Sequence, residues 1–180
     1  MSIIRKVGKR ISRSFLVFSA IWIVAIVMIQ IAAPNPIVEK MPETCPENSG
    51  NCVRVDFVGT SYRYNNLESP VISASVSEVN EVISNWFSNE KDGKILFSKY
   101  NENEKSYFSH IKDSTEFLFF PDDIFVTAGC LEGSNLTAVT LQSQSRLGKG
   151  DLGVNFERLS ELILYLDQYS WSGTNCDSDN

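Results

Sequence analysis

Ser143-Gln144-Ser145-Arg146-Leu147-Gly148-Lys149-Gly150-Asp151-Leu152-Gly153-Val154-Asn155-Phe156-Glu157-Arg158 is the stretch whose reading decides the fold. In the threonine-rich run before it, 136–143, Val139 and Leu141 share one face, which is the period of a strand. From Asn155 on, Phe156, Leu159, Leu162, Ile163, Leu166 and Tyr169 recur at helical spacing, with Glu157, Arg158, Glu161 and Asp167 mostly elsewhere. The stretch is therefore a joint from the last strand to the last helix, and Asp151 or Asn155 can cap that helix. Gly148, Gly150 and Gly153 give it special backbone freedom.

The body upstream follows the same two periods. Ser75-Val76-Ser77-Glu78 has the form of a capping box. Val79, Val82, Ile83, Trp86 and Phe87 then make a one-sided helix that ends near Asn89, with Trp86 in the core. Strands at 94–100 and 105–111 flank the polar loop Asn101-Glu102-Asn103-Glu104. The aromatic run 115–120 reads as a strand that 124–128 continues, with Pro121-Asp122-Asp123 as a bulge or bend between them. A turn follows at 129–135, and Val53, Val55 and Phe57 alternate with Arg54 and Asp56 in one more short strand. The expected class is α+β: an antiparallel sheet of four to five strands, two helices on one face, and one N-terminal transmembrane helix.

That last helix comes from residues 15–33, nineteen residues without a charge, in which Gln30 is the only strongly polar one. A helix of this length spans about 28 Å, close to the hydrocarbon thickness of a bilayer. Five of the chain's 16 basic residues (Arg5, Lys6, Lys9, Arg10 and Arg13) and none of its 22 acidic residues lie in the first 33. Those cations should stay cytoplasmic and place everything after Ala33 across the membrane. A cleaved signal peptide fits less well, because the apolar run is long and Ala32-Ala33 is followed by Pro34. The chain then divides into a basic cytoplasmic tail at 1–14, an anchor at 15–33, a linker at 34–52, a domain at 53–172 and an acidic tail at 173–180. The linker, with Pro34, Pro36, Pro42 and Pro46, reads as a spacer that lifts the domain off the membrane. Beyond the anchor the chain is acidic, which makes nucleic acid a poor partner.

In an exported chain, four cysteines suggest two disulfides. Cys45–Cys52 is the preferred pair, since turn formers lie between them, which leaves Cys130 with Cys176. Spacing alone does not choose among the three connectivities. No zinc or C-x-x-C pattern occurs, and no metal or cofactor is expected. His110, the single histidine, has no identifiable serine or cysteine partner and reads as structural. Asn135-Leu136-Thr137 matches the glycosylation acceptor pattern.

Ser145-Arg146-Leu147-Gly148-Lys149-Gly150-Asp151-Leu152-Gly153-Val154-Asn155, followed after two residues by Arg158, resembles the S-R-x-G-x-x-D-x-G-x-N-x-x-R signature of an uncharacterised family, domain of unknown function 1499. Cys45-Pro46 with Asn51-Cys52-Val53 resembles the family's C-P…N-C-V start, and Phe120-Pro121-Asp122-Asp123 its aromatic-x-D-D element. The likeness covers roughly residues 45–169. Gly50 is a departure, since members usually show a tighter S/T-P-N-C there. The resemblance implies a small secreted or membrane-anchored domain of bacteria or plastids, and no known activity.

The residues that matter are Arg146, Lys149, Asp151, Asn155, Arg158, Asp122 and Asp123. The leading expectation pairs Arg146 and Arg158 with Asp122, Asp123 or Asp151, tying the bent strand to the start of the helix. No catalytic residue is assigned. The protein is then a membrane-anchored extracytoplasmic accessory or interaction domain, a small subunit of a membrane protein complex, with its domain periplasmic or otherwise extracytoplasmic. One alternative is a small-molecule or lipid-binding module using the Arg146/Lys149 loop. Another is a small hydrolase or isomerase using Asp122, Asp123, Asp151 and Arg146.

Overall fold

A computed structural model describes residues 2–178, with side chains from residue 14 onward. The cations at 5–13 and the last two residues of the acidic tail, 179–180, lie outside the described side chains. The elements in order are α1 (Ser2–Ala32), β1 (Cys52–Val55), β2 (Val71–Ile72), α2 (Val76–Glu90), β3 (Lys94–Asn101), β4 (Ser106–Ser114), β5 (Pro121–Cys130), β6 (Thr137–Ser145) and α3 (Val154–Gln168). Ser14–Ala32 is long and apolar enough to cross a membrane, and α1 stops where Pro34 removes a donor.

Alternation builds the sheet. Ile124, Val126 and Ala128 of β5 and Val139 and Leu141 of β6 point to one face and are fully buried there. All pairings between the named strands are antiparallel, in the order β1-β6-β5-β4-β3, and the two-residue β2 also pairs with β6. The main path has five strands, in line with the expected four to five, and the two-residue β2 beside β6 makes a sixth. The helices α2 and α3 cover the Ile124 face, burying Val79, Ile83 and Phe87 from one and Leu159, Leu162 and Leu166 from the other. Ser75 caps α2 by accepting from the Glu78 backbone N–H at 3.2 Å. The Glu78 carboxylate bonds Ser172 instead of closing the box.

Two local expectations are corrected. Residues 115–120 are a loop, not a strand. Asp113 pairs with Asp122 and Ser114 with Pro121, so β4 and β5 are already partners and the chain must reverse between them. Pro121-Asp122-Asp123 is the regular start of β5, with no bulge in its registers to either neighbour. A tail expected to fray from Gly173 unless Cys176 is bridged is held by that bridge, and Cys176 N–H donates to Asn135 O while Cys176 O accepts from Val76 N–H, both at 3.0 Å.

The disulfides are Cys45–Cys52 and Cys130–Cys176. The second ties the β5–β6 turn to the segment after α3. The first secures residues 34–45, which lie across the sheet face opposite the helices. There Val38 N–H donates to His110 Nδ1 at 3.1 Å, and Arg54 Nη1 donates to Pro42 O at 2.6 Å. The linker is thus a strap on the second face rather than a free spacer.

Loop-closure entropy ranks the two bridges. Sequence separations of 7 and 46 correspond to about 2 and about 4 kcal/mol in that picture. Urea unfolding of the Cys45→Ala/Cys52→Ala and Cys130→Ala/Cys176→Ala chains should show the larger loss for the second. Equal losses would mean that the bridges act through something other than loop closure.

Candidate functional site

Asp122 and Asp123 are neighbours on one strand, so their side chains leave opposite faces of the sheet. Each meets one arginine of the joint. On the helix side, Asp122 sits beside Asp113 across the β4–β5 pair. Arg158, on the first turns of α3, reaches between them: its Nε donates to Asp113 Oδ2 at 2.7 Å and its Nη2 to Asp122 Oδ2 at 2.8 Å. Its Nη1 donates to Asn155 Oδ1 at 2.9 Å and Ser143 Oγ at 3.1 Å. Arg158 is 5 % exposed and Asp122 is 0 % exposed, so the group has left water. Two carboxylates share one guanidinium. Burial pushes the Asp122 carboxyl above its ordinary range, and the Arg158 charge only partly opposes this. Asp122 Oδ1 has no hydrogen-bond partner among the described residues.

On the strap side, Asp123 Oδ1 lies 2.7 Å from His110 Nε2, and it accepts from Arg146 Nε at 3.0 Å and Arg146 Nη2 at 2.7 Å. His110 is 0 % exposed. Its Nδ1 accepts from the Val38 backbone, so that nitrogen carries no proton and Nε2–H donates to Asp123. Both ring nitrogens are engaged, which removes the free lone pair that a general base needs. Arg146 Nη1 also donates to Pro34 O at 3.1 Å and Asn35 Oδ1 at 2.5 Å, the first residues past α1. Arg146 therefore joins the sheet to the exit of the apolar helix.

The glycine-rich turn is filled by the chain itself. Asp151 accepts from Gly153 N–H at 3.1 Å and Asn155 N–H at 3.0 Å, occupying amides at the start of α3. Burial alone would raise the Asp151 carboxyl, but the bonds from Gly153 and Asn155 outweigh it and hold the group below its ordinary range. Asn155 Nδ2 donates to Asn51 O at 2.9 Å, and Asn51 Nδ2 donates to Gly148 O at 2.8 Å. Gly50 N–H bonds Lys149 O, and a Cβ on Gly50 would come within 2.5 Å of that oxygen. The unusual glycine thus permits a close backbone approach.

Of the seven residues singled out, six enter these networks, while Lys149 is exposed and contributes its carbonyl. The N-cap position of α3 falls on Gly153, and Asp151 binds the first amides from two residues before it; Asp151 is not a partner of Arg146 or Arg158, its nearest cation being Arg63 at 3.8 Å. Asp113 and the strap residues Asn35 and Val38 escaped sequence reading, while Asn51 and Ser143 stood in the quoted motifs without an assigned role. Asp113 did carry a signal, an acid two places beyond Ile111 on an inward strand face. Among the described residues no group of three His, Cys, Asp or Glu side chains is placed to hold a metal.

The family model described as a protein of unknown function, DUF1499, matches residues 43–166. No curated protein and no solved structure matches the chain.

Arg158→Ala strands two buried carboxylates and should cost about 3–5 kcal/mol in urea unfolding. Asp122→Asn keeps an acceptor for Nη2 and should cost clearly less. A loss below about 1 kcal/mol for Arg158→Ala, the range of an exposed pair, would show that the network does not hold the fold. Asp151 carries the opposite pH signature to Asp122. Its depressed value means that its stabilisation is present above the ordinary carboxylate pKa and is lost as pH falls through the folded value. Asp151→Asn should therefore lower Tm at pH 7, and the gap to the native chain should close in acid. A gap independent of pH would remove the carboxylate charge from the explanation.

Proposed function

We propose that this chain, which belongs to the DUF1499 family, is a non-enzymatic accessory domain held on the outer face of a cytoplasmic-type membrane by the helix over 14–32, and that it serves as a small subunit of a membrane protein complex. The orientation rests on the cations at 5–13, which favour the cytoplasmic side. The domain then begins at the strap and runs to Cys176, beyond the membrane. The observation that carries the reading is the closure of the polar cluster. Asp122 and Asp123 are 0 % and 3 % exposed, both nitrogens of His110 are bonded, and Asp151 binds the first amides of α3. Apart from Asp122 Oδ1, these groups spend their hydrogen bonds on the chain itself, which supports a positioning role over a catalytic one. Two features further support attachment in a fixed pose: Arg146 bonds Asp123 and the residues leaving α1, and the strap is bonded along the sheet.

A membrane subunit held this way should leave the membrane with a partner. Extraction of the full chain in mild detergent, followed by size exclusion and mass spectrometry, should recover one other protein in fixed ratio. Arg146→Ala should weaken that recovery while the purified chain keeps both disulfides. A monodisperse monomer under these conditions would overturn the proposal.

A further inference from the structure

The loop at 115–120 lies between the domain and the apolar helix. Trp22 Nε1, in the middle of the apolar helix, donates to Phe117 O at 3.0 Å, and Gln30 Nε2 donates to Phe119 O at 2.6 Å. The Trp22 ring lies 6.2 Å from that of Phe117 and 6.4 Å from that of Phe119. Gln30, the one strongly polar residue of the span, thus has its partner in this loop. Trp22 is ten residues before Ala32, about 15 Å along a helix. If 14–32 crosses the bilayer, the loop descends along it through one leaflet.

The loop is built for that place. Irregular backbone at membrane depth is tolerated only where it packs on protein instead of lipid, and here α1 covers the loop on one side. Here Thr115 N–H donates to Phe120 O, Phe119 N–H to Thr115 O, and Phe120 N–H to Thr115 Oγ1, besides the two carbonyls taken by α1. The loop is also two-sided. Glu116 faces a polar cleft with Lys91 and Arg158. Phe117, Leu118 and Phe120 line a separate apolar groove of about 340 Å³, closed on the far side by Leu147, Leu152 and Val154. Leu152 is 102 % exposed and Phe117 72 % exposed. Leu152 and Phe119 both sit at φ 54, a left-handed conformation that side-chain-bearing residues seldom adopt, and both are left exposed by it.

We propose that the 115–120 loop and Leu152 are inserted in the leaflet beside the anchor, and that the groove between them holds the acyl chain of a membrane lipid. The inference rests on the membrane-anchored reading above. The occupant follows from continuity: Phe117 touches Trp22 on one side and lines the groove on the other, so the groove opens where the span is surrounded by hydrocarbon. Lys149, exposed three residues before Leu152, then stands within reach of the lipid phosphates.

The test places a photoreactive benzophenone amino acid at position 117, 152 or 58 of the full chain in vesicles of phosphatidylethanolamine and phosphatidylglycerol. Val58 is 85 % exposed beyond the far end of β1 and serves as the control. Lipid adducts at 117 and 152, and none at 58, are expected. No adduct at 117 and 152, adducts to protein only, or equal lipid adducts at all three positions would overturn the proposal. Alkaline carbonate washing separates the two claims. A chain that washes off has no span and removes both, whereas a chain that stays without lipid adducts at 117 and 152 removes only this one.

Discussion

One guanidinium, that of Arg158, holds the last helix to the sheet through charge that water cannot screen. Its four hydrogen bonds reach β4, β5, β6 and its own helix. Such a buried group gives geometry more than net stability, because desolvation cancels much of the attraction. That geometry fixes where α3 begins, and hence where Asp151, Asn155 and the glycine turn must lie. Burial is the main reason that Asp122 holds its proton more tightly than a free aspartate, and the Asp113 charge beside it adds to this while Arg158 opposes it.

The second arginine works on the other side of the same strand. Because Asp122 and Asp123 are adjacent, the sheet carries a buried charge pair on each face at one end. Arg158 uses its pair to place a helix. Arg146 uses its pair to place the chain leaving the apolar helix, with His110 as a third member and the strap backbone as lid. The polar residues of the signature are thereby divided between internal architecture and attachment, and the exposed remainder of the loop is apolar at Leu152 and cationic at Lys149.

Periodicity made the two packed helices and the long strands legible, since burial on one face leaves its mark at 3.6 or 2 residues. The joint was legible as a joint because strand period, glycines and helix period meet there. The 115–120 loop was misread because its aromatics imitate a strand; they are apolar for contact with α1, a partner 85 or more residues away. Asp113 was hidden because strand burial looks the same for an acid and a serine until the facing arginine is known. The strap was hidden because its bonds are made by backbone groups of Val38, Pro34 and Pro42, which any residue type carries. The preferred disulfide pairing is the one observed, although spacing alone left the other two connectivities open.

Cys176 follows every strand and helix of the fold, whereas Cys45 and Cys52 precede all of the sheet but β1's own first residue. A chain made from its N-terminus exposes the early pair long before Cys130 has a mate. At about 5–20 residues per second, the early pair has several seconds to close alone. Of the three connectivities open to four thiols, two require an early cysteine to wait for a late one. If the chain emerges into an oxidising compartment, as the membrane-anchored reading places it, vectorial synthesis would act as a proofreader: it would consume the first two thiols before an error is available and leave the final bridge as a covalent seal on a domain already assembled.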